Sequence, residues 1–569
     1  MKVETFFENF GQLADAPNGV QKLRELILQL AVQGKLVPQD PNDEPASVLL
    51  AKIDAEKERL IQGKKIKKND QLPPIGADEM PFGLPQSWAW VRLDELCHDW
   101  GQKIPDQSFT YIDVSSIDKD RGVISDDVKL LNAANAPSRA RKLVEEGTVI
   151  YSTVRPYLLN IAIIDKKFSP EPIVSTAFAV LHPFSGLLNK YLCHYLRSKT
   201  FVDYVEAEMT GMAYPAINDA KLRKGLVPLP PLAEQHCIVA KVDQLMALCD
   251  ELEARQQKRQ TVRVRLNNAT LEGLLAARAP EEFAAYWQRI CDNFDLLYDA
   301  PETVGRLREA VLQLAVQGRL VPQDPNDVPV EVLSEGAEGE KGKLNGGIKT
   351  KSSLLGIVDK QELPFDTPRN WAFGRFGNTA EIISGVTKGK DLTGKVTAFY
   401  PYLRVANVQR GFLDLDLIKE LEIPTGELEK YRLVKNDIVI IEGGDWDKVG
   451  RAAIWEAQIE DCIHQNHIFR ARLYDIGLLP KWVILYINSS HGRRYFEAAS
   501  KQTTNLASIN MGQLRNCPIP IPPISEQRRI IAKVDQLMAL CDELEAKLRL
   551  AQAAGSKLAT AAVQHLTAA

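Results

Sequence analysis

No run of 18 or more apolar residues occurs in the sequence, which excludes a transmembrane helix. Nor is there an excess of positive charge: 70 Lys and Arg stand against 74 Asp and Glu, a formal net charge of −4. A chain that coats nucleic acid by charge alone is thereby excluded, whereas one with local basic faces is not. The 8 cysteines, Cys97, Cys193, Cys237, Cys249, Cys291, Cys462, Cys517 and Cys541, form no C-x-x-C pair. Neither a zinc ribbon nor a thioredoxin-type site is indicated, and scattered cysteines of this kind are expected to be reduced and buried. The opening MKVETFFENFGQLADAP has no apolar h-region and no small-residue cleavage site, so the expected compartment is the cytoplasm. Catalytic signatures are missing as well. There is no G-x-x-x-x-G-K-[ST] phosphate loop, G-x-G-x-x-G fingerprint, H-E-x-x-H metal site or G-x-S-x-G elbow. The Asn/Asp-Pro-Pro-aromatic tetrapeptide of amino-methyltransferases is absent too. No metal, no bound cofactor and no catalysis are therefore expected of this chain.

What the 569 residues do contain is a long internal repeat. LRELILQLAVQGKLVPQDPNDEP (23–45) returns as LREAVLQLAVQGRLVPQDPNDVP (307–329), identical at 19 of 23 positions. PLPPLAEQHCIVAKVDQLMALCDELEA (228–254) returns as PIPPISEQRRIIAKVDQLMALCDELEA (520–546), identical at 21 of 27. PFGLPQSWAW (81–90) matches PFDTPRNWAF (364–373). The blocks between, about 91–227 and 374–519, show no comparable match. One chain thus carries two near-identical frames around two dissimilar inserts, an arrangement suited to presenting two different recognition surfaces.

In the frame, apolar residues at Ile238, Val242, Leu245, Cys249 and Leu252 step by 4, 3, 4 and 3, a heptad seam. Ile530, Val534, Leu537, Cys541 and Leu544 repeat it, continued by Leu548 and Ala551. Proline pairs at 230–231 and 522–523 mark the upstream stops. The first helix is predicted over 234–277, roughly 66 Å at 1.5 Å per residue. Duplication of the seam favours a mutual, antiparallel contact of two long helices acting as a spacer. The simpler reading packs each helix on its own domain. A shorter helix uses Leu23, Leu26, Ile27, Leu30 and Ala31, with Gly34 as its stop, repeated at Leu307, Val311, Leu314, Ala315 and Gly318. Lys64, Lys65, Lys67 and Lys68 form a basic stretch that could touch phosphate or simply be solvated, and the Gly- and Ser-rich 334–353 reads as a linker.

Within the inserts, strands are predicted at 147–153, 161–165 and 175–182 with a helix at 188–208, and at 400–408, 436–444, 450–456 and 467–473 with a helix at 481–500. The shared order predicts one α+β fold with diverged surfaces. Loops between these elements gather residue types that read base edges or hold phosphates. The candidates are Ser152, Arg155, Tyr157, Thr210, Met212 and Tyr214 in the first insert. In the second they are Arg404, Asn407, Trp446, Lys448, Gln465, Asn466, Thr503, Thr504 and Asn505. Each of these, taken singly, also fits an ordinary exposed loop residue. Residues 95–225 hold 16 Lys and Arg against 16 Asp and Glu, and residues 374–517 hold 19 against 17. DNA-binding inserts so neutral would bind weakly alone, since phosphate neutralisation supplies most non-specific affinity.

On the two P-x-P-P-x-x-E-Q motifs and the repeated LQLAVQGKLVPQD frame, the chain resembles the specificity (S) subunit of type I restriction–modification enzymes. The resemblance spans essentially the whole chain. It implies two α+β target-recognition domains, 91–227 and 374–519, each reading one half of a split double-stranded DNA target. The conserved regions 1–90, 228–373 and 520–569 would set their spacing and dock two modification methyltransferase subunits. S-adenosylmethionine, ATP and magnesium would belong to the modification and restriction/translocase partners, with no membrane involved. A protein–protein adaptor with two unlike binding domains on a helical arm is the alternative.

Overall fold

The computed structural model describes residues 10–67, 72–119, 121–126, 128–211, 214–328, 330, 355, 358–444, 448–502 and 507–568. The chain divides into two compact units, Met1–Gln260 with Ala551–Ala569, and Thr261–Leu550. Two helices of 45 residues each, Leu232–Ala276 and Ile524–Ala568, begin directly after their proline pairs. The first runs from the first unit into the second, and the second runs from the second unit into the first. The predicted linker 334–353 lies outside the described residues.

Each unit is built on a frame helix, Gly19–Val32 or Pro301–Val316. Both end before a glycine, Gly34 at φ 70° and Gly318 at φ 69°. A Cβ there would also come within 2.6 Å of Pro85 Cγ or Pro368 Cγ, so left-handed backbone and a close neighbour both require glycine.

Most of the heptad seam is buried. Ile238, Val242, Leu245 and Cys249 share a core with Leu23, Leu26, Ile27 and Leu30, and Leu252 packs at its edge. Ile530 and Val534 share a core with Val311 and Ala315, and Leu537 packs against it. Cys541 is buried, and Leu544 packs on the cluster holding Leu271, Leu274, Ala310 and Leu314. These positions pack on the short frame helix and the domain beside it, and Leu544 of one long helix also meets Leu271 and Leu274 of the other. The repeat of the seam reflects a repeated partner inside each unit, because a heptad pattern says which face is apolar and not what covers it.

The inserts share an α+β architecture. In the first, an antiparallel sheet runs in the order Cys97–His98, Phe178–Pro183, Val149–Ser152, Ile161–Ile163. The second repeats it as Ala380–Ser384, Ile468–Leu473, Ile438–Ile441, Ala452–Ile454. A further sheet contains a parallel pair in each, Phe109–Ile112 with Pro172–Ser175 and Thr397–Leu403 with Ile463–His464. The helices predicted at 188–208 and 481–500 are each two: Asn189–Leu196 and Lys199–Glu208, then Pro480–Asn488 and Ser490–Ala499. Serine marks both breaks, and Ser489 Oγ accepts the Gly492 N–H at 3.3 Å, a cap that competes with continuing the helix. Each insert is closed where it leaves the frame. Ala89–Arg92 pairs antiparallel with Leu226–Leu229, and Ala372–Arg375 with Pro518–Ile521. Proline is tolerated there because two-stranded sheets are all edge.

Candidate nucleic-acid interface

The seat of each insert is the same chemistry made twice. Glu234, second to last in P-L-P-P-L-A-E-Q, accepts the Trp88 indole N–H at 2.7 Å and the Gln39 side-chain amide. Glu526 accepts the Trp371 indole N–H at 2.9 Å and the Gln323 amide at 2.5 Å. Burial raises both carboxyls above their ordinary range, against the pull of these donors. The adjacent Gln235 accepts the Leu188 N–H at 2.9 Å and donates to the Gly186 and Pro230 carbonyls. Gln527 accepts the Leu479 N–H at 2.9 Å and donates to Gly477 and Pro522. The motif therefore ties three parts together: Glu holds the Trp turn and the frame, and Gln holds the loop that starts the insert's helix pair.

Ion pairs follow the same rule. Arg24 bonds Asp250 and Glu253 at 2.7 and 2.8 Å, and Arg308 bonds Asp542 and Glu545 at 2.7 and 3.1 Å. Even where the residue changes, the bond survives. The Tyr191 hydroxyl donates to the Pro228 carbonyl and the Trp482 indole to the Pro520 carbonyl, both at 2.7 Å.

Above this seat the inserts diverge. In the first, the loop after Val149–Ser152 meets the loop after Lys199–Glu208. Val154 bridges Ala216, the Arg155 N–H donates to Pro215 O at 2.8 Å, and Ile217 N–H donates to Thr153 O at 3.0 Å. The exposed Thr210 is held by backbone bonds to Ala216 at 2.9 and 3.0 Å. The Arg155 guanidinium lies 5.2 Å from the Tyr214 ring centroid, a cation–π arrangement. Tyr214 is 71% exposed and Tyr157 44%. Arg155 and Leu159 adopt positive φ on either side of the turn Pro156–Leu158, backbone strain of the kind that clusters at functional sites. Four predicted residues, Arg155, Tyr157, Thr210 and Tyr214, thus converge on one exposed surface. Met212 lies outside the described residues.

Ser152 does not join them. It is buried, and its hydroxyl donates to Val154 O at 2.9 Å, so it shapes the loop instead of reading a base. Asn407 is corrected likewise. It is buried, accepts the Arg404 N–H at 2.9 Å and donates to Asp414 O and Leu417 O, so it ties its turn to the chain returning from the hairpin. The residue types were right for DNA but equally right for a polar turn.

In the second insert, Lys448 lies at the matching loop, half-buried, its carbonyl accepting the Arg451 N–H. Gly443–Gly444 pairs antiparallel with Ala507–Ser508. Half-buried Gln465 and Asn466 sit on the neighbouring turn, where their backbone N–H groups donate to Leu403 O and Val386 O. Arg404 donates to Leu417 O at 2.7 Å. Trp446, Thr503, Thr504 and Asn505 lie outside the described residues. Lys64, Lys65 and Lys67 are exposed beyond the helix Ala46–Gln62, and Lys68 lies outside the described residues. The turns at Arg121-Gly122 and Arg410-Gly411 are not among the sequence candidates, although both dipeptides are turn signals.

The His98 and His182 rings lie 5.0 Å apart, tilted at 52°, beside Trp100, and burial lowers His182 to about 4. Among the described residues no group of three or more His, Cys, Asp or Glu could hold a metal ion. No described helix is long and apolar enough to cross a membrane.

A family profile described as the Type I restriction modification DNA specificity domain matches residues 85–262 and 368–551, once in each repeat. The type I restriction enzyme EcoAI specificity subunit of Escherichia coli is 33% identical over 95% of this chain and 93% of its own length. The EcoEI specificity subunit of Escherichia coli is 32% identical over the same shares. A chain solved in a study of complex assembly and conformational transition of the type I R-M system has a similar fold. It superposes with a TM-score of 0.51 at 24% identity, over 86% of this chain and 99% of that one. Specificity subunits are the non-catalytic subunits of these systems. With two matches seated on two copies of one frame, and near full-length likeness to such subunits, the chain belongs to the type I restriction–modification DNA specificity family.

Proposed function

We propose that this chain supplies a type I restriction–modification complex with its DNA sequence specificity. Residues 91–227 and 374–519 each read one half of a bipartite duplex target. The regions 1–90, 228–373 and 520–569 hold the readers, set the spacing and dock two modification methyltransferase subunits, to which restriction/translocase subunits add. S-adenosylmethionine, ATP and magnesium are held by those partners, and the complex works in the cytoplasm. In the first reader the contacts are made by Arg155, Tyr157, Thr210, Met212 and Tyr214. In the second they are made by Arg404, Trp446, Lys448, Gln465, Asn466, Thr503, Thr504 and Asn505.

The observation that carries this reading is a seat duplicated bond for bond, from Trp88–Glu234 and Trp371–Glu526 outward, beneath loops that differ. A scaffold with one job and two different inputs has that form. The near-neutral inserts support it too, since partner subunits must add positive surface for phosphate. Exchange of 91–227 for the matching block of a relative with another target, followed by methylome sequencing, changes one half-site alone. Change in both halves, or in neither, overturns the reading.

A further inference from the structure

Both inserts carry a third loop that stands next to the reading loops, and its hairpin tip is given no part in the proposed contacts. In the first, Phe109–Ile112 leads through the turn Val114–Ser116 into a hairpin, Ile117–Asp118 paired with Val123–Ile124. In the second, Thr397–Leu403 leads through Val405–Asn407 into a hairpin bridged at Val408 and Leu413. Each turn is bracketed by side-chain-to-backbone bonds. Ser115 N–H donates to Asp113 Oδ1 and Arg404 N–H to Asn407 Oδ1, both at 2.9 Å. Each hairpin turns on a glycine of positive φ, Gly122 at 68° and Gly411 at 85°.

The tips are pinned at equivalent places. Arg197 donates to both Lys119 O in the first tip and Ile161 O. Gly411 N–H donates to Ala452 O at 2.9 Å. Ile161 pairs with Tyr151 and Ala452 with Ile440, the same position in the two sheets. Each tip therefore stands where the chain returns from the reading loop, 153–160 or 442–451. In the second insert the two are joined directly, Arg451 donating to Gln409 Oε1 at 2.6 Å.

What the tips present differs, while their place beside the sheet does not. The first carries exposed Lys119 and Arg121. The second carries Phe412, 62% exposed, beside Arg410. A tip at the same sheet position in both inserts with exchanged side chains is the pattern of a contact surface, and its position fits the ligand of the loops beside it.

We infer that these hairpin tips are a third DNA-contacting loop in each reader. Lys119 and Arg121 hold backbone phosphates at the first half-site, and Phe412 packs on the sugar–base edge at the second. This rests on the reading of the chain as a DNA specificity subunit. The test uses the full chain assembled with its modification subunits and compares K119A/R121A, F412A and R155A with the parent. DNA affinity is measured across a salt series. For K119A/R121A the inference expects weaker binding to cognate and scrambled duplex alike. It also expects a shallower log Kd against log salt slope, by about 2 for two lost phosphate contacts. F412A is expected to lose affinity for duplexes carrying the second half-site. Unchanged affinity and slope in both variants, with R155A impaired, overturn the hairpin inference and leave the specificity reading standing. A parent complex without sequence-specific DNA binding overturns both. Thermal melting, expected to match the parent at these exposed tips, separates lost contact from lost fold.

Discussion

Glu234 and Glu526 are the residues on which most else depends. Each is a carboxylate moved out of water and compensated by an indole N–H and an amide. A carboxyl raised in the folded state binds its proton more tightly there than in the unfolded chain. Its contribution is thus fully present below the ordinary carboxylate pKa and is lost as the pH rises through the raised value. The doubly substituted E234Q/E526Q chain should lose less stability than the parent between about pH 4 and about pH 7, read as urea midpoints. E234A is a different matter. It leaves the buried Trp88 indole without its acceptor, a cost of about 1–3 kcal/mol and a lower melting temperature, while E234Q retains an oxygen for it. Equal melting of E234A and E234Q would show that the bond carries no weight.

At the scale of elements, the long helices show how a pattern and its partner come apart. Ile238 is fully buried in the core of its unit, whereas Leu248 on the same helix is 39% exposed. Truncation of Ile238 to alanine removes packed methyl groups that the frame helix cannot refill, a loss of about 2–5 kcal/mol. Leu248→Ala should stay within about 0.5 kcal/mol, as ordinary surface substitutions do. Chemical unfolding of the two variants separates these values. Comparable losses would mean that Leu248 is covered in the free chain. The paired helices of each insert teach the same lesson on a smaller scale. Apolar periodicity carries straight through Ser198 and Ser489, yet the chain breaks at both, and at Ser489 the buried hydroxyl offers the backbone a competing bond to Tyr486 O.

For the whole molecule, connectivity matters most. Both 45-residue helices cross from one unit to the other, at 260–261 and at 550–551. A spacer change must therefore lengthen both. Four residues, about one helical turn, inserted at each crossing should lengthen the gap between half-sites and leave the half-sites themselves unchanged in the methylome. Changed half-sites with an unchanged gap would sink the spacer role. An insertion at Gln256 is less suitable, because Gln256 and Arg259 are bonded to Ala14 and Asp15.

The sequence by itself determined the duplication, the two long helices, the α+β inserts and, through the P-x-P-P-x-x-E-Q motifs, the family. These are local or repeated properties: helix periodicity, proline stops and identical strings are all readable along the chain. Only the tertiary structure decided what the seams pack against, that Glu and Gln of the motif hold a tryptophan turn and an insert helix, and which loop residues share a surface. Arg155 and Tyr214 lie 59 positions apart and meet through Val154 and Ala216. Ser152 and Asn407 have the composition of readers but turn inward. The physical reason is the same in each case. A side chain's type limits which bonds it can make, but burial and backbone path decide which of them it does make, and both are set by residues far away in sequence.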